Sequence, residues 1–191
     1  MRDILIINGH PDPSPDRLAA ALATAYGEGA IQSGHKVRRL DIGALTFPLL
    51  REPQQFLTEP ADAAIVSARR EFLLADHLVF IFPLWLGGLP AAFKGFLEQI
   101  ARAEFALGAN GKGFPLGKLK GRSARVIVTM GMPAPIYRIF FGAHGVKALE
   151  SGMLGLSGIR PVRTSYFGAI TDAKSGAKAI AKARALGARG V

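Results

Sequence analysis

The stretch Val79-Phe-Ile-Phe-Pro-Leu-Trp-Leu-Gly-Gly-Leu-Pro-Ala-Ala-Phe-Lys94 indicates the fold class of this chain. Its first residues form an unbroken apolar run, which is typical of a strand buried on both faces of a parallel sheet. Pro83 ends the strand because it has no N–H to donate, and Pro90 has a φ suited to a helix start. The charge-free loop between them carries Trp85 and two glycines. Open α/β sheets bind planar cofactors at such loops, although an ordinary Gly/Pro turn remains the alternative.

Strands and helices alternate along the rest of the chain. The apolar pattern predicts five strands, at residues 4–7, 37–40, 78–82, 125–129 and 161–167. It predicts five helices, at residues 16–33, 60–75, 90–102, about 137–154 and 172–186, with a Gly/Lys-rich loop at 108–121. Right-handed crossovers place helices on both faces of such a sheet. We therefore expect an α/β three-layer sandwich in which residues 1–191 form a single domain.

Composition restricts the possible functions. The chain has 191 residues, 49% of them apolar, which suits one globular domain with a substantial core. It has no cysteine, which excludes disulfides, thiolate nucleophiles and cysteine-ligated metals and fits a reducing cytoplasm. The N-terminus is too poor in apolar residues for a secretory signal, and the longest charge-free run, 78–93, is too short and interrupted to span a bilayer. We expect a soluble cytoplasmic protein and assign no metal site.

The net charge of +10 comes from lysines and arginines concentrated in residues 112–125 and 174–189. A nucleic-acid binder would interleave such residues with aromatic side chains. The second cluster lies on an Ala-rich segment without any aromatic residue. We interpret it as a solvated helix face and expect no nucleic-acid partner, although the excess charge can attract anionic small molecules such as a dinucleotide.

Three unusual loops are predicted at one edge of the sheet. If the strand order is 2-1-3-4-5, strands one, three and four end beside the switch point where such sheets bind ligands. The first loop, residues 8–17, reads Asn-Gly-His-Pro-Asp-Pro-Ser-Pro-Asp-Arg and leads into a helix N-terminus, which favours phosphate. The second carries Trp85, and the third is Thr129-Met-Gly-Met132 followed by prolines. Each could be only a turn, but together they predict a cofactor site.

In combination, these residues resemble the flavodoxin-like NAD(P)H:quinone oxidoreductases, the DT-diaphorase type and its bacterial relatives. The resemblance runs from residue 4 to about 169, on these motifs: Gly9-His-Pro-Asp-Pro13, Phe82-Pro-Leu-Trp85, Gly88-Leu-Pro-Ala91, Lys94-Gly95, Glu104-Phe-Ala106, Thr129-Met-Gly131, Tyr137 and His144. It implies a flavodoxin-like fold and a tightly bound flavin, FAD or in some branches FMN. It also implies NAD(P)H as co-substrate, two-electron reduction of quinones or similar flat acceptors by a ping-pong mechanism, and a homodimer.

The resemblance implies roles for the cofactor-binding residues. His10 resembles the family histidine at the flavin diphosphate, and Ser14 and Arg17 are candidates for the remaining phosphate contacts. Two further sets resemble the loops at the isoalloxazine ring and at its pyrimidine edge: Pro83, Leu84, Trp85 and Leu86 for the first, and Thr129, Met130, Gly131 and Met132 for the second. Backbone N–H groups aimed at that edge would stabilise the negative charge of the reduced ring.

The expected catalytic residues are Tyr137 and His144, which resemble the family pair near the nicotinamide and the quinone, where a proton must accompany the hydride. A histidine on a helix is often structural instead. The chain departs from the family pattern in Ser14-Pro-Asp-Arg17, where Asp16 is expected to cap the helix. The Tyr137-to-His144 spacing is also one residue longer than expected.

Two other function classes stay open. One is a flavodoxin-like one-electron carrier, although such carriers tend to be acidic and this chain is strongly basic. The other is a regulatory flavoprotein subunit of a potassium efflux system, as some relatives are. Co-purification with a membrane transporter would separate the second class from a free enzyme.

Overall fold

A five-stranded parallel sheet forms the centre of the protein. The computed structural model describes residues 1–103, 105 and 117–191. Its strands are β1 Asp3–Asn8, β2 Lys36–Asp41, β3 His77–Pro83, β4 Ser123–Thr129 and β5 Val162–Phe167. All neighbouring strands pair in parallel, in the order β2-β1-β3-β4-β5. The predicted fold class and strand order are confirmed.

Helices cover both faces of the sheet. They are α1 Leu18–Gln32, α2 Pro53–Leu57, α3 Ala63–Leu74, α4 Ala91–Ala101, α5 Ala134–Ile139, α6 His144–Lys147 and α7 Ala173–Ala188. A 3₁₀ helix, Ile42–Ala44, and a π-helix, Ala148–Gly155, complete the described set. The sequence did not predict α2 or the 3₁₀ helix. Both are short, and neither has the long apolar period that signals a helix.

The strands divide the core into two layers, because successive side chains point to opposite faces. On one side, Ile81 packs in a cluster with apolar residues of α1 and α7. On the other, Phe80 and Phe82 pack in a cluster with Phe72 of α3 and Phe96 of α4. This arrangement is the predicted three-layer sandwich.

The helix predicted at residues 137–154 is broken in the structure, so that prediction was wrong. The chain leaves the helical conformation after α5, where Gly142 has a φ of 62° and Ala143 a φ of 51°. These left-handed conformations cannot continue a right-handed helix. The helical path resumes with α6 and passes into the π-helix.

Two predicted features lie outside the described residues, wholly or in part: the loop at 108–121 and the motif at 104–106. Within the described ranges, none of the helices is long and apolar enough to cross a membrane. The same ranges contain no cluster of three or more His, Asp or Glu side chains suited to a metal ion.

The amino end of β3 carries a buried histidine. His77 is 1% exposed, and its Nδ1 lies 2.8 Å from the Ser123 hydroxyl. Its Nε2 is buried and has no hydrogen-bond partner among the residues that the structure describes. Burial, together with the charges of Arg2 and Arg125, lowers the pKa of His77 to about 4. The fold therefore requires a neutral imidazole at this position.

We expect this histidine to make the protein acid-sensitive. In the unfolded chain the His77 pKa returns to about 6.5, so the unfolded state takes up the proton first as pH falls. The free energy of unfolding should keep its full value above about pH 6.5 and fall by up to about 3 kcal/mol as pH approaches 4. Urea unfolding at several pH values, compared with the same series for His77→Leu, measures how much His77 contributes to the pH dependence of the free energy of unfolding. Identical pH slopes in the two proteins would contradict it.

Candidate active site

The carboxyl ends of β1, β3 and β4 meet at one edge of the sheet. The Gly9 N–H donates to the Ile81 carbonyl at 2.7 Å, which ties the first loop to β3. The Leu84 N–H donates to the Thr129 carbonyl at 2.8 Å, which ties the Trp85 loop to β4. The three loops singled out in the sequence therefore begin side by side.

His10 lies between the first loop and the Trp85 loop. Its backbone N–H donates to the Asn8 side-chain oxygen at 3.2 Å, and the Asn8 amide donates to Asp41 at 2.8 Å. The His10 Nδ1 lies 3.0 Å from the Asp12 nitrogen and 3.2 Å from the Asp12 carbonyl oxygen, so the Asp12 backbone engages Nδ1 in either tautomer. The ring meets Trp85 edge-on, with centroids 5.7 Å apart and planes at 80°. Sequence reasoning missed Asn8, although a polar residue ending an apolar strand is a usable signal.

The Asp12 carboxylate organises the approach to α1. It accepts the Ser14 N–H at 2.9 Å and the Arg17 Nε–H at 2.6 Å. These two contacts hold the pKa of Asp12 below its usual range. Asp16 was predicted to cap the helix, and this was wrong: Arg17 occupies the N-cap position and provides no side-chain cap. The turn around Asp12 delays the helix start to Leu18, so the first helical N–H groups have no side-chain acceptor.

Trp85 and Leu86 stand on a tight turn. The Trp85 N–H and the Gly88 carbonyl lie 3.0 Å apart, and the reciprocal bond measures 2.9 Å. The two central residues have positive φ, 47° at Leu86 and 79° at Gly87, as a type I′ turn requires. A positive φ is unusual for leucine and stores strain, a feature that clusters at functional sites. Trp85 is 47% exposed and Leu86 is fully exposed, so the turn presents both side chains outward.

Tyr137 contacts the backbone of this turn and stabilises it. Its side chain is 1% exposed, and its hydroxyl donates to the Gly87 carbonyl at 2.9 Å. Burial raises the pKa of Tyr137. Gly145 packs on the same turn, because a Cβ added there would lie 2.6 Å from the Gly88 Cα. The structure thus places Tyr137 against the loop backbone.

His144 is exposed at the start of α6. Its imidazole makes no hydrogen bond to any residue that the structure describes, while its backbone carbonyl accepts the Ala148 N–H. A Cβ added to Gly142 would clash with the His144 Nε2, so the ring lies close over the Gly142 backbone. The left-handed residues Gly142 and Ala143 set this position. The His144 imidazole is therefore accessible to a ligand.

The loop that follows β4 begins with buried residues and continues with exposed ones. Thr129 and Met130 are buried, and the Met130 N–H donates to the Phe167 carbonyl at 3.0 Å. Gly131 and Met132 are exposed. A Cβ added to Gly131 would meet nothing within 4 Å, and the N–H groups of both residues donate to no described residue. This loop can therefore offer backbone donors to a ligand.

Comparison with known proteins gives one family and several relatives. The family described as a flavodoxin-like fold matches residues 2–187. An uncharacterized NAD(P)H oxidoreductase of Haemophilus influenzae is 28% identical over 170 residues, which is 87% of this chain and 83% of that protein. An FMN-dependent NADH:quinone oxidoreductase of Bordetella petrii is 36% identical over 76 residues, 37% of this chain and 36% of that protein. The crystal structure of Smu.1420 from Streptococcus mutans UA159 superposes with a TM-score of 0.79 at 27% identity, covering 98% of this chain and 99% of that one.

We expect Tyr137→Phe to loosen the Trp85 turn. The change removes the bond to the Gly87 carbonyl and keeps the buried ring, so stability should fall by about 1 kcal/mol and Tm by roughly 2–4 °C. Acrylamide should also quench Trp85 more strongly, and this signal is clean because the chain has one tryptophan. Tyr166→Phe is the matched control, because the Tyr166 hydroxyl bonds to no described residue. An unchanged Tm and unchanged quenching in Tyr137→Phe would disprove the support role.

Proposed function

This chain belongs to the family of the flavodoxin-like fold, and on that premise we propose that it is a flavin-dependent NAD(P)H oxidoreductase that reduces quinones or similar flat acceptors. The observation that carries the proposal is the meeting of three loops at one sheet edge, with His10 against Trp85. The Haemophilus relative is named an NAD(P)H oxidoreductase and the Bordetella relative an NADH:quinone oxidoreductase, and both names support this reaction class. The Bordetella relative also supports FMN rather than FAD as the flavin.

The residues at this edge fit a flavin mononucleotide. The first-turn N–H groups of α1 have no side-chain cap, and the positive end of the helix dipole there favours a phosphate. The His10 Nε2 can donate to the same phosphate when it carries the ring proton, because Nδ1 is already engaged by the Asp12 backbone. The space above Gly131 leaves room for the edge of a planar ring.

We propose the following contacts. The phosphate would be held by His10, Ser14 and the Arg17 nitrogens that Asp12 leaves free. The ring would lie along Pro83, Leu84, Trp85 and Leu86, with Thr129, Met130, Gly131 and Met132 at its pyrimidine edge. The backbone N–H groups of Gly131 and Met132 would donate there, because no described residue accepts from them. The apolar side chains of Trp85 and Leu86 would exclude water from the reacting face.

When bound, the flavin supplies hydride acceptance from NAD(P)H and hydride donation to the acceptor. The chain must then provide a proton for the acceptor oxygen, which becomes anionic as the hydride arrives. We propose that His144 provides it from its exposed imidazole. Tyr137 is the second catalytic candidate, and in the geometry shown its proton is committed to the Gly87 carbonyl. We propose that it acts by positioning the Trp85 turn.

We also propose a homodimer. Apolar side chains are exposed on and just after α5, where Ile139, Phe140 and Phe141 are 74%, 82% and 56% exposed. Contiguous apolar surface of this kind marks association sites in proteins. We further propose that residues 1–191 form a single domain and that the protein acts in the cytoplasm, in keeping with its lack of cysteine.

FMN added to the apoprotein should quench the emission of Trp85, with saturation at about one FMN per chain. The half-exposed indole lies in the turn that would contact the ring, and no other tryptophan contributes. Riboflavin, which lacks the phosphate, should bind at least tenfold more weakly if α1 and His10 hold that group. The proposal fails if FMN leaves the emission unchanged up to about 100 µM, or if riboflavin and FMN titrate alike.

The His144→Gln variant should fold, keep FMN and reduce a simple benzoquinone about tenfold or more slowly, because it lacks the proton donor. Stopped-flow oxidation of the reduced protein by the quinone measures this step. His35→Gln is a suitable control, since His35 directly precedes β2 and lies next to Arg2, at the amino ends of the strands and away from the site. Wild-type rates for a flavin-loaded His144→Gln protein would remove this residue from the mechanism.

A further inference from the structure

An apolar cavity lies between α4 and the π-helix. Its volume is about 510 Å³, within the range of about 300–1,000 Å³ typical of small-molecule sites. Its lining includes the apolar side chains of Phe56, Leu89, Leu97, Leu149 and Met153. The charged residues of the lining, Lys94 and Glu98, form an ion pair with each other. A cavity of this kind favours an uncharged apolar ligand.

The π-helix is the unusual element of this cavity. It contributes Ala148, Leu149, Gly152 and Met153 to the lining. π-helical segments are rare and occur often at functional sites. A Cβ added to Gly152 would meet nothing within 4 Å, so packing does not require a glycine there. Since glycine also weakens a helix, its presence is better explained by the open space that it leaves in the cavity.

The cavity adjoins the Trp85 turn. Leu89 lines the cavity and directly follows Gly88, the last residue of the turn. Gly145 also lines the cavity and packs against the backbone of Gly87 and Gly88. These two residues are therefore shared between the cavity wall and the support of the proposed reacting face.

We infer that this cavity binds the aliphatic substituent of the acceptor, so that the substrate class is quinones carrying an alkyl or prenyl chain. The inference rests on the proposed function, which supplies the quinone head. An apolar chain gains free energy for each methylene that leaves water, whereas a charged substituent would meet a lining whose charges are already paired. The quinone ring would then react at the turn while its chain extends past Leu89.

The test uses flavin-loaded protein and the 2-methyl, 2-pentyl and 2-decyl derivatives of 1,4-benzoquinone. KM should fall at least tenfold from the methyl to the decyl compound with little change in kcat, because the chain adds binding and not chemistry. In Gly152→Leu the new side chain fills the cavity, so the ratio of the two KM values should shrink to less than threefold. Ala148→Leu, on the preceding turn of the same wall, is a second variant with the same expected result.

Gly176→Leu on α7 is the matched control, since a Cβ there also enters open space, and it should keep the chain-length preference. Binding of the uncharged dye N-phenyl-1-naphthylamine is measured on the same proteins without NAD(P)H. One outcome would retain the cavity as an apolar binding site and reject the proposed function: the decyl but not the methyl quinone displaces the dye, and the protein turns over no quinone. Quinone turnover with a KM independent of chain length, or a preference unchanged in both cavity variants, would overturn the inference and leave the proposed function standing.

Discussion

β3 is hydrogen-bonded on both edges, to β1 and to β4, and its residues from His77 to Phe82 are buried on both faces. A strand in this position cannot slip in register without exposing its apolar side chains and breaking two ladders. Its carboxyl end is therefore a fixed point of the molecule. The Trp85 turn begins there, and the loops after β1 and β4 are tied to the same point by backbone bonds.

Two helices outside the sheet contact the Gly87 carbonyl and fix the Trp85 turn at this edge. The carbonyl accepts the Tyr137 hydroxyl and is packed by Gly145, so two separate helices hold one backbone group. The strained φ of Leu86 persists because these contacts and the Trp85–Gly88 pair over-determine the turn. The loop is thus held by its supports, and its outward side chains are left for a ligand. The wall of the adjoining cavity includes Gly145 of α6, one of these two helices.

The fold could be predicted from the sequence because its signals are local. The apolar run of β3, the alternation of strands and helices, and Gly34 after α1 each show in a few consecutive residues. Gly34 has a φ of 80°, as a helix-ending glycine should. The break before α6 was missed because Ala143 carries no sequence signal for a left-handed conformation. The supports of the site were missed because they join distant residues: Tyr137 reaches Gly87 across 50 positions of the chain. Periodicity contains no information about such contacts.

Whether these three loops form a flavin site is measured directly by the visible absorbance of the purified protein, followed by mass analysis of what denaturation releases. We expect a yellow protein, or one that turns yellow and stays so after incubation with FMN and gel filtration, with a released mass equal to FMN at about one per chain. A protein that remains colourless after incubation with both FMN and FAD would contradict this expectation.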